Sequence, residues 1–403
     1  MEHPSPHHFQ SAHPHNAALP ASLWSHLPPP VAKLRATVII PAKDEAAALP
    51  TTLAALAAQT DAAGRALPAG TFEVLVLANN CTDGTAATVR AYAASHPALA
   101  LHVAEVTLPP AEAHVGQARR LLMDEAARRL ELAGHPGALI ISTDADTRVA
   151  PDWLAATFAE LATGADAIAG RILMDETDRN CPVRRCQLQD AAYHLLRVQL
   201  ETHLDPQAHD PWPRHHQHFG ASLAVTVAAY RQVGGLPVVP FLEDEALYQA
   251  LLRHDLRVRH SPAVRVFTSG RQQGRVAVGL SWQLREWALL GQQQPLVPDP
   301  AALVAELRVR NKLRQQWQAA RASQNPTVVL RSGGGLVNDL LPAVAQALAS
   351  CATFGEFWEW ARPLVLPAVP TASVPLSLAI TALRTELAQQ QRRLQPLVAT
   401  VLG

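Results

Sequence analysis

The chain of 403 residues has four cysteines, no excess of either charge and no long apolar run. Each shortage removes a class of protein. Cys81, Cys181, Cys186 and Cys351 show no paired metal-ligand spacing and are too few for a disulfide scaffold, so a reducing cytoplasm is the expected location. Lys+Arg and Asp+Glu stand at 34 each, a balance that argues against a nucleic-acid partner, which usually calls for a basic excess. No stretch of 18 or more uninterrupted apolar residues occurs, so no integral membrane span is expected. The opening "MEHPSPHHFQSAHPHNAALPASLWSHLPPP" lacks the basic start and apolar stretch of a signal peptide. Residues 1–33 read as a disordered Pro- and His-rich tail, whose histidines lack the fixed geometry a specific metal site needs.

What is present is a core and a rhythm. Hydrophobic residues make up 48%, enough for a sizeable interior, and the length allows two domains or one with extensions. From Ala36 onward, short apolar runs alternate with Ala/Leu-rich stretches. "ATVIIPA" (36–42), "FEVLVLAN" (72–79), "LALHVAEV" (99–106) and "GALIIST" (137–143) read as strands. Helices fit between them: one over 45–59 with Pro50 near its start, one beginning near Asp83, and one over roughly 112–133. "PDWLAATFAELAT" reads as a further helix and "ADAIAGRIL" as a strand, while 174–217 reads as polar and irregular. "FLEDEALYQALLRHDLRVRHSP" reads as a helix with acids at its beginning, and 291–403 as a helical extension. The alternation predicts an α/β sandwich on a largely parallel sheet, where ligands gather outside the carboxyl ends of the strands.

The polar clusters follow that rule. "PAKDE" ends the first strand, "ANNCTDGT" the second and "TDADT" the fourth. Asp144 and Asp146, one residue apart, can point the same way in an extended segment, and two hard carboxylates suit Mg²⁺ or Mn²⁺. Alone, the pair equally fits a solvated turn. Asp83 fits a cap on the helix that follows it.

"ATVIIPAKDEAAAL", "VLVLANNCTDGTA" and "IISTDADTRVAPDWL", followed by "GASLAV" and "FLEDEAL", together resemble the family 2 glycosyltransferases of the GT-A fold, over roughly residues 36–290. The resemblance implies a Rossmann-like α/β/α sandwich over 34–290, a nucleotide-diphosphate-sugar donor and a hydroxyl acceptor. By position it places Pro41, Ala42 and Glu45 beside base and ribose, and Asn79 where the family commonly carries a base-contacting Asp. Arg119 and Arg120 fall where the family approaches donor sugar and phosphates, although an exposed helix face balanced by Asp124 and Glu125 fits them equally. Asp146 would be the direct metal ligand, Asp144 its partner toward ribose or metal, and His260 the nearest match to a late metal-binding His. Asp244 is the first candidate for the base that takes the acceptor proton and Glu243 the second; first-turn acids favoured by a helix dipole are the plain alternative.

Other features carry less. Arg271 and Arg275 lie in a Gly-punctuated stretch suited to closing over a diphosphate. "QLREW" (283–287) departs from the Q-x-x-R-W element of processive synthases, and "RSGGGLVNDLL" (331–341) lacks a P-loop lysine. The His-rich "HDPWPRHHQHF" shows no closed zinc-ligand spacing, and its Trp212 would suit a sugar-acceptor loop. The resemblance therefore implies a metal-dependent, inverting, hexosyltransferase-like enzyme. A sugar-phosphate nucleotidyltransferase is the first alternative, weakened because "PAKDEAAAL" has no glycine; a GT-A-like binding module without turnover is the second.

Overall fold

A computed structural model describes residues 23–135, 137–174, 182–268, 279–290, 293–322, 350–366 and 372–401, with 343, 346 and 347 besides. Its centre is an eight-stranded sheet of β1 (Ala36–Ala42), β2 (Phe72–Asn79), β3 (Ala100–Val106), β4 (Leu139–Ser142), β5 (Thr147–Val149), β6 (Ala167–Met174), β7 (Leu223–Thr226) and β8 (Val258–Thr268). In space the order is β3-β2-β1-β4-β7-β6-β8-β5. Only β7 and β5 run against the rest, so the sheet is mostly parallel, as expected for the GT-A class.

Helices α1 (Leu49–Ala57), α2 (Thr85–Ser95), α3 (Val115–Ala133), α4 (Trp153–Ala162), α6 (Val227–Gln232) and α7 (Glu243–Arg253) pack around the sheet, whereas α5 (Pro182–Leu204) and α8 (Leu280–Leu290) pack mainly on other helices. The central strands read as continuous apolar runs because both of their faces are buried. Ile39, Leu75 and Leu77 point to one side, against Leu122, Ala126 and Leu130 of α3. Val38, Ile40, Val74 and Val76 point to the other, against Leu49, Leu53 and Leu56 of α1 and Trp153 of α4. Trp24, inside the expected tail, is buried in the first of these clusters.

One sequence expectation fails. Within the stretch expected to be irregular, residues 182–204 form the 23-residue helix α5. Its apolar residues are divided among several neighbours, so no single stripe shows in the sequence. Cys186 meets Leu284 and Trp287 of α8. Leu200 and Leu204 meet α9 (Pro300–Ala322) and α11 (Leu376–Val401) at Val304, Leu307, Leu376 and Leu383. Glu201 and Asp205 take Arg310 and Arg314 from α9. The described residues of the C-terminal part are mostly helical as expected, with α10 (Phe354–Val365) packed on Trp317 of α9 and a short antiparallel pair, β9 (Leu296–Pro298) with β10 (Ser373–Pro375). No helix among the described residues is long and apolar enough to cross a membrane.

Candidate active site

Strand register gathers the polar ends. Ala42 lies opposite Ala78, and Ser142 opposite Ile39, so Pro41, Ala42, Asn79 and Asp144 collect at one edge of the sheet. The loops after β1 and β2 are tied to each other. Asp44, in the left-handed region at φ 53°, accepts the Thr82 N–H at 2.6 Å and the Asp83 N–H at 3.3 Å. Asp83 accepts the Ala46 N–H at 3.0 Å and the Thr85 N–H at 2.9 Å, while the N-cap position of α2, expected to be Asp83, is Gly84. The Glu45 N–H donates to Thr85 Oγ1 at 2.9 Å, and Glu45 itself is buried. The Thr82 N–H bond, more than any other influence, holds the Asp44 carboxyl below its usual range. Asp44, Cys81 and Asp83 are the one group of three metal-ligand types close together among the described residues. Their polar atoms already accept loop amides, the Sγ of Cys81 included.

Asn79 closes β2 and is 4% exposed, and its Oδ1 has no hydrogen-bond partner. A buried acceptor left unpaired costs about 1–3 kcal/mol, and a ligand N–H would satisfy it. A cleft lined by Ala78, Cys81, Glu105, Val106 and Thr107, though not by Asn79 itself, opens at the same end of β2.

Arg119 on α3 organises the other half of the edge. The family resemblance allows this residue a diphosphate contact or an exposed helix face, but the guanidinium is buried and engaged by protein groups. Nη1 donates to Ser142 Oγ at 2.8 Å, Nη2 to Asp144 Oδ1 at 3.0 Å, and Nε lies 3.1 Å from Glu243 Oε1. Burial pulls its pKa down, yet Glu243, Asp144 and Asp244 outweigh burial and hold it above the usual range. Arg120 is structural: it donates to Asp124 at 2.7 Å and to the Leu236 carbonyl at 2.9 Å.

Asp144 and Asp146 flank a turn between β4 and β5 rather than lying along one extended strand. The Thr147 N–H closes on the Asp144 carbonyl at 3.2 Å, and Thr52 Oγ1 donates to the Ala145 carbonyl at 2.8 Å. Both aspartates are half-buried, and the hydroxyls of Thr143 and Thr147 beside them are buried without a partner. This set of hard oxygens fits Mg²⁺ or Mn²⁺. His260 is not brought to it. Register runs from Ser142 through Leu223 and Ala169 to His260, three strands away, or about 14 Å at the usual strand spacing. His260 is buried and engages Asp210, with Nδ1 at 2.7 Å from Oδ2.

The two candidate bases stand in different surroundings. Glu243 opens α7, buried against Arg119; burial pushes its carboxyl up against the pull of that charge. Asp244 is only partly buried. Its Oδ2 accepts the Gly220 N–H at 2.8 Å and its Oδ1 the Glu245 N–H at 2.8 Å. Gly220 and His218, which Nε2 brings within 2.6 Å of Glu245, were not singled out from the sequence; the Gly opening "GASLAV" was the available signal. Trp287 of "QLREW" is a core residue of α8, whereas Arg271, Arg275 and 331–341 lie outside the described residues.

Residues 37–207 match the family model described as Glycosyl transferase family 2. Among solved structures, the mannosyltransferase PcManGT from Pyrobaculum calidifontis, in complex with GDP-Man and Mn²⁺, aligns at 20% identity. That alignment covers 91% of this chain and 87% of that one, with a TM-score of 0.44. S. aureus TarS 1-349 in complex with UDP-GlcNAc aligns at 16% identity over 83% of this chain and 93% of that one, with a TM-score of 0.42. A search of curated proteins gives no match. The strand-end motifs after β1, β2 and β4 all fall inside the segment that this family model matches.

Proposed function

We propose that the protein transfers a sugar from a nucleotide-diphosphate donor to a hydroxyl acceptor, by a single displacement with inversion at the anomeric carbon. One observation carries the reading. Arg119 and Gly220 draw the turn holding Asp144 and the first turn of α7 holding Asp244 into one polar cluster, on the sheet edge that also ends in Asn79. Donor-side and acceptor-side groups then face one space, as a displacement requires.

In this reading Asn79 offers its unpaired Oδ1 to a base N–H, and Pro41, Ala42 and Glu45 line the base and ribose. Asp146 and Asp144 would hold a divalent ion, which, when bound, supplies positive charge to the leaving diphosphate. Arg119 keeps Asp144 in place from behind instead of touching phosphate. Asp244 takes the acceptor proton. It is preferred to Glu243 because Glu243 is buried against Arg119, whereas Asp244 stays partly open with both oxygens aimed by N–H groups.

A thermal-shift panel of UDP-, GDP- and dTDP-linked sugars, with and without Mn²⁺, tests the reading. Binding to the folded state alone stabilises by about 2.7 kcal/mol at 100 times Kd. We expect one nucleotide class to raise the melting temperature in a metal-dependent way, with the shift and donor hydrolysis both lost in Asp146→Ala. Stabilisation that is unchanged in that variant refutes the metal assignment, and no shift with any donor refutes the donor site.

A further inference from the structure

Asp244 accepts a backbone hydrogen bond on each of its two oxygens, from two different segments. One N–H belongs to its own helix, at Glu245, and the other to Gly220, on a segment 24 residues earlier. The second bond lasts only while residues 218–220 stay pressed against the start of α7. At Gly220 that approach is tight: a Cβ there would lie 1.6 Å from Arg119 Nη1. The segment therefore fits the contact without being fastened by it. The fastening comes two residues earlier. His218 Nε2 is 2.6 Å from Glu245 Oε2, and the imidazole stacks on Tyr248, one turn along α7, with centroids 3.9 Å apart and an interplanar angle of 11°. Glu245 Oε1 in turn accepts from Gln249 at 2.6 Å, which fixes the carboxylate on the helix. His218 Nδ1 is buried and has no protein partner; beyond looser ring contacts with Phe219 and His260, the Glu245 pair and the Tyr248 stack tie the ring to α7.

We propose that His218 is a positioning residue: paired with Glu245 and stacked on Tyr248, it clamps residues 218–220 to α7 so that the Gly220 N–H aims the Asp244 carboxylate. Two rungs then join the segment to the helix, His218 with Glu245 and Gly220 with Asp244. The first can be removed without touching either oxygen of the proposed base. The inference rests on the assignment of Asp244 above for its effect on turnover, but not for the clamp.

The experiment compares wild type with His218→Ala, His218→Gln and Glu245→Gln, reading amide hydrogen exchange at Gly220 and steady-state donor turnover with Mn²⁺. In His218→Ala the Gly220 amide should lose protection. The kcat should fall about 10- to 100-fold, the range a misplaced reacting group costs, with donor KM and the donor-induced thermal shift unchanged. His218→Gln, whose amide donates to the same oxygen, should recover most of both readouts, while Glu245→Gln, with the charge gone, should fall between. A residue that merely supports the fold would lower the melting temperature without this split. Unchanged Gly220 protection in His218→Ala overturns the proposal, as does a loss that Gln does not restore. If His218→Ala does not fold, the Gln pair decides: equal protection in wild type and Glu245→Gln overturns it. Hydrogen exchange reads the clamp whether or not a donor is turned over. Failure of the glycosyl-transfer reading therefore appears as absent turnover with the clamp intact.

Discussion

Replacing Gly220 by Ala tests the arrangement around Arg119 with one methyl group. Its backbone is outside the left-handed region, so alanine meets no conformational penalty of its own. The added Cβ would lie 1.6 Å from Arg119 Nη1 and 2.3 Å from Cζ. That neighbour is not a loose chain end: it is buried and held by Ser142, Asp144 and Glu243. Relief has two routes. Moving the guanidinium strips a buried ion pair, at about 3–5 kcal/mol. Sliding the segment away gives up the Gly220 bond to a charged carboxylate, at about 1.5–3 kcal/mol, with some repacking. The cheaper route sets the estimate at about 2–3 kcal/mol, or a fall of about 4–12 °C in Tm at the slope usual for a domain of this size. Urea unfolding of both single variants and the double variant with Arg119→Ala measures it. The three atoms nearest the added Cβ all belong to Arg119, so with the arginine gone Gly220→Ala should cost far less in that background. A single-variant effect under about 0.5 kcal/mol, or an equal cost in both backgrounds, refutes the steric reasoning.

Two further outcomes follow from buried charge. Burial, ahead of any neighbouring charge, lowers His215 to about 3 and His216 to about 2, so both stay neutral in the fold while the unfolded chain protonates near the ordinary histidine value of 6.5. The unfolded state then binds more protons below that pH, and stability falls as pH drops from 6.5 toward 3. The slope is at most about 1.4 kcal/mol per pH unit for each histidine, read as a falling urea midpoint between pH 7 and pH 5, and a flat midpoint excludes it. Separately, Asp205 is fully buried and takes both Arg310 and Arg314. Deleting 291–403 strips both partners from it and uncovers Leu200 and Leu204. Cooperative unfolding should be lost in the truncated chain, and a truncated form that retains wild-type cooperativity by circular dichroism counts against this reading.

What the sequence reveals here depends on how local each feature is. The strand-end motifs are legible because each is a few residues attached to an apolar run, and parallel pairing brings such ends together without further information. The fate of Arg119 is not legible. Its partners Ser142, Asp144 and Glu243 lie 23 to 124 residues further along the chain, and nothing in "HVGQARRLLMDEA" distinguishes a guanidinium aimed at phosphate from one aimed at carboxylates. His260 misled for the same reason, since only the register across β4, β7, β6 and β8 shows how far it stands from Asp144. α5 was missed because a helix whose neighbours lie on several sides has no stripe to read.

The reciprocal bonds between the loops after β1 and β2 have a consequence for anyone altering this protein. Asp44 takes amides from Thr82 and Asp83, and Asp83 takes an amide from Ala46, so each loop completes the other. Neither can be grafted from a relative by itself without orphaning amides in the one left behind. The two form a single exchangeable cassette, and a chimera or library that alters this end of the sheet has to move 43–46 and 80–85 as one unit.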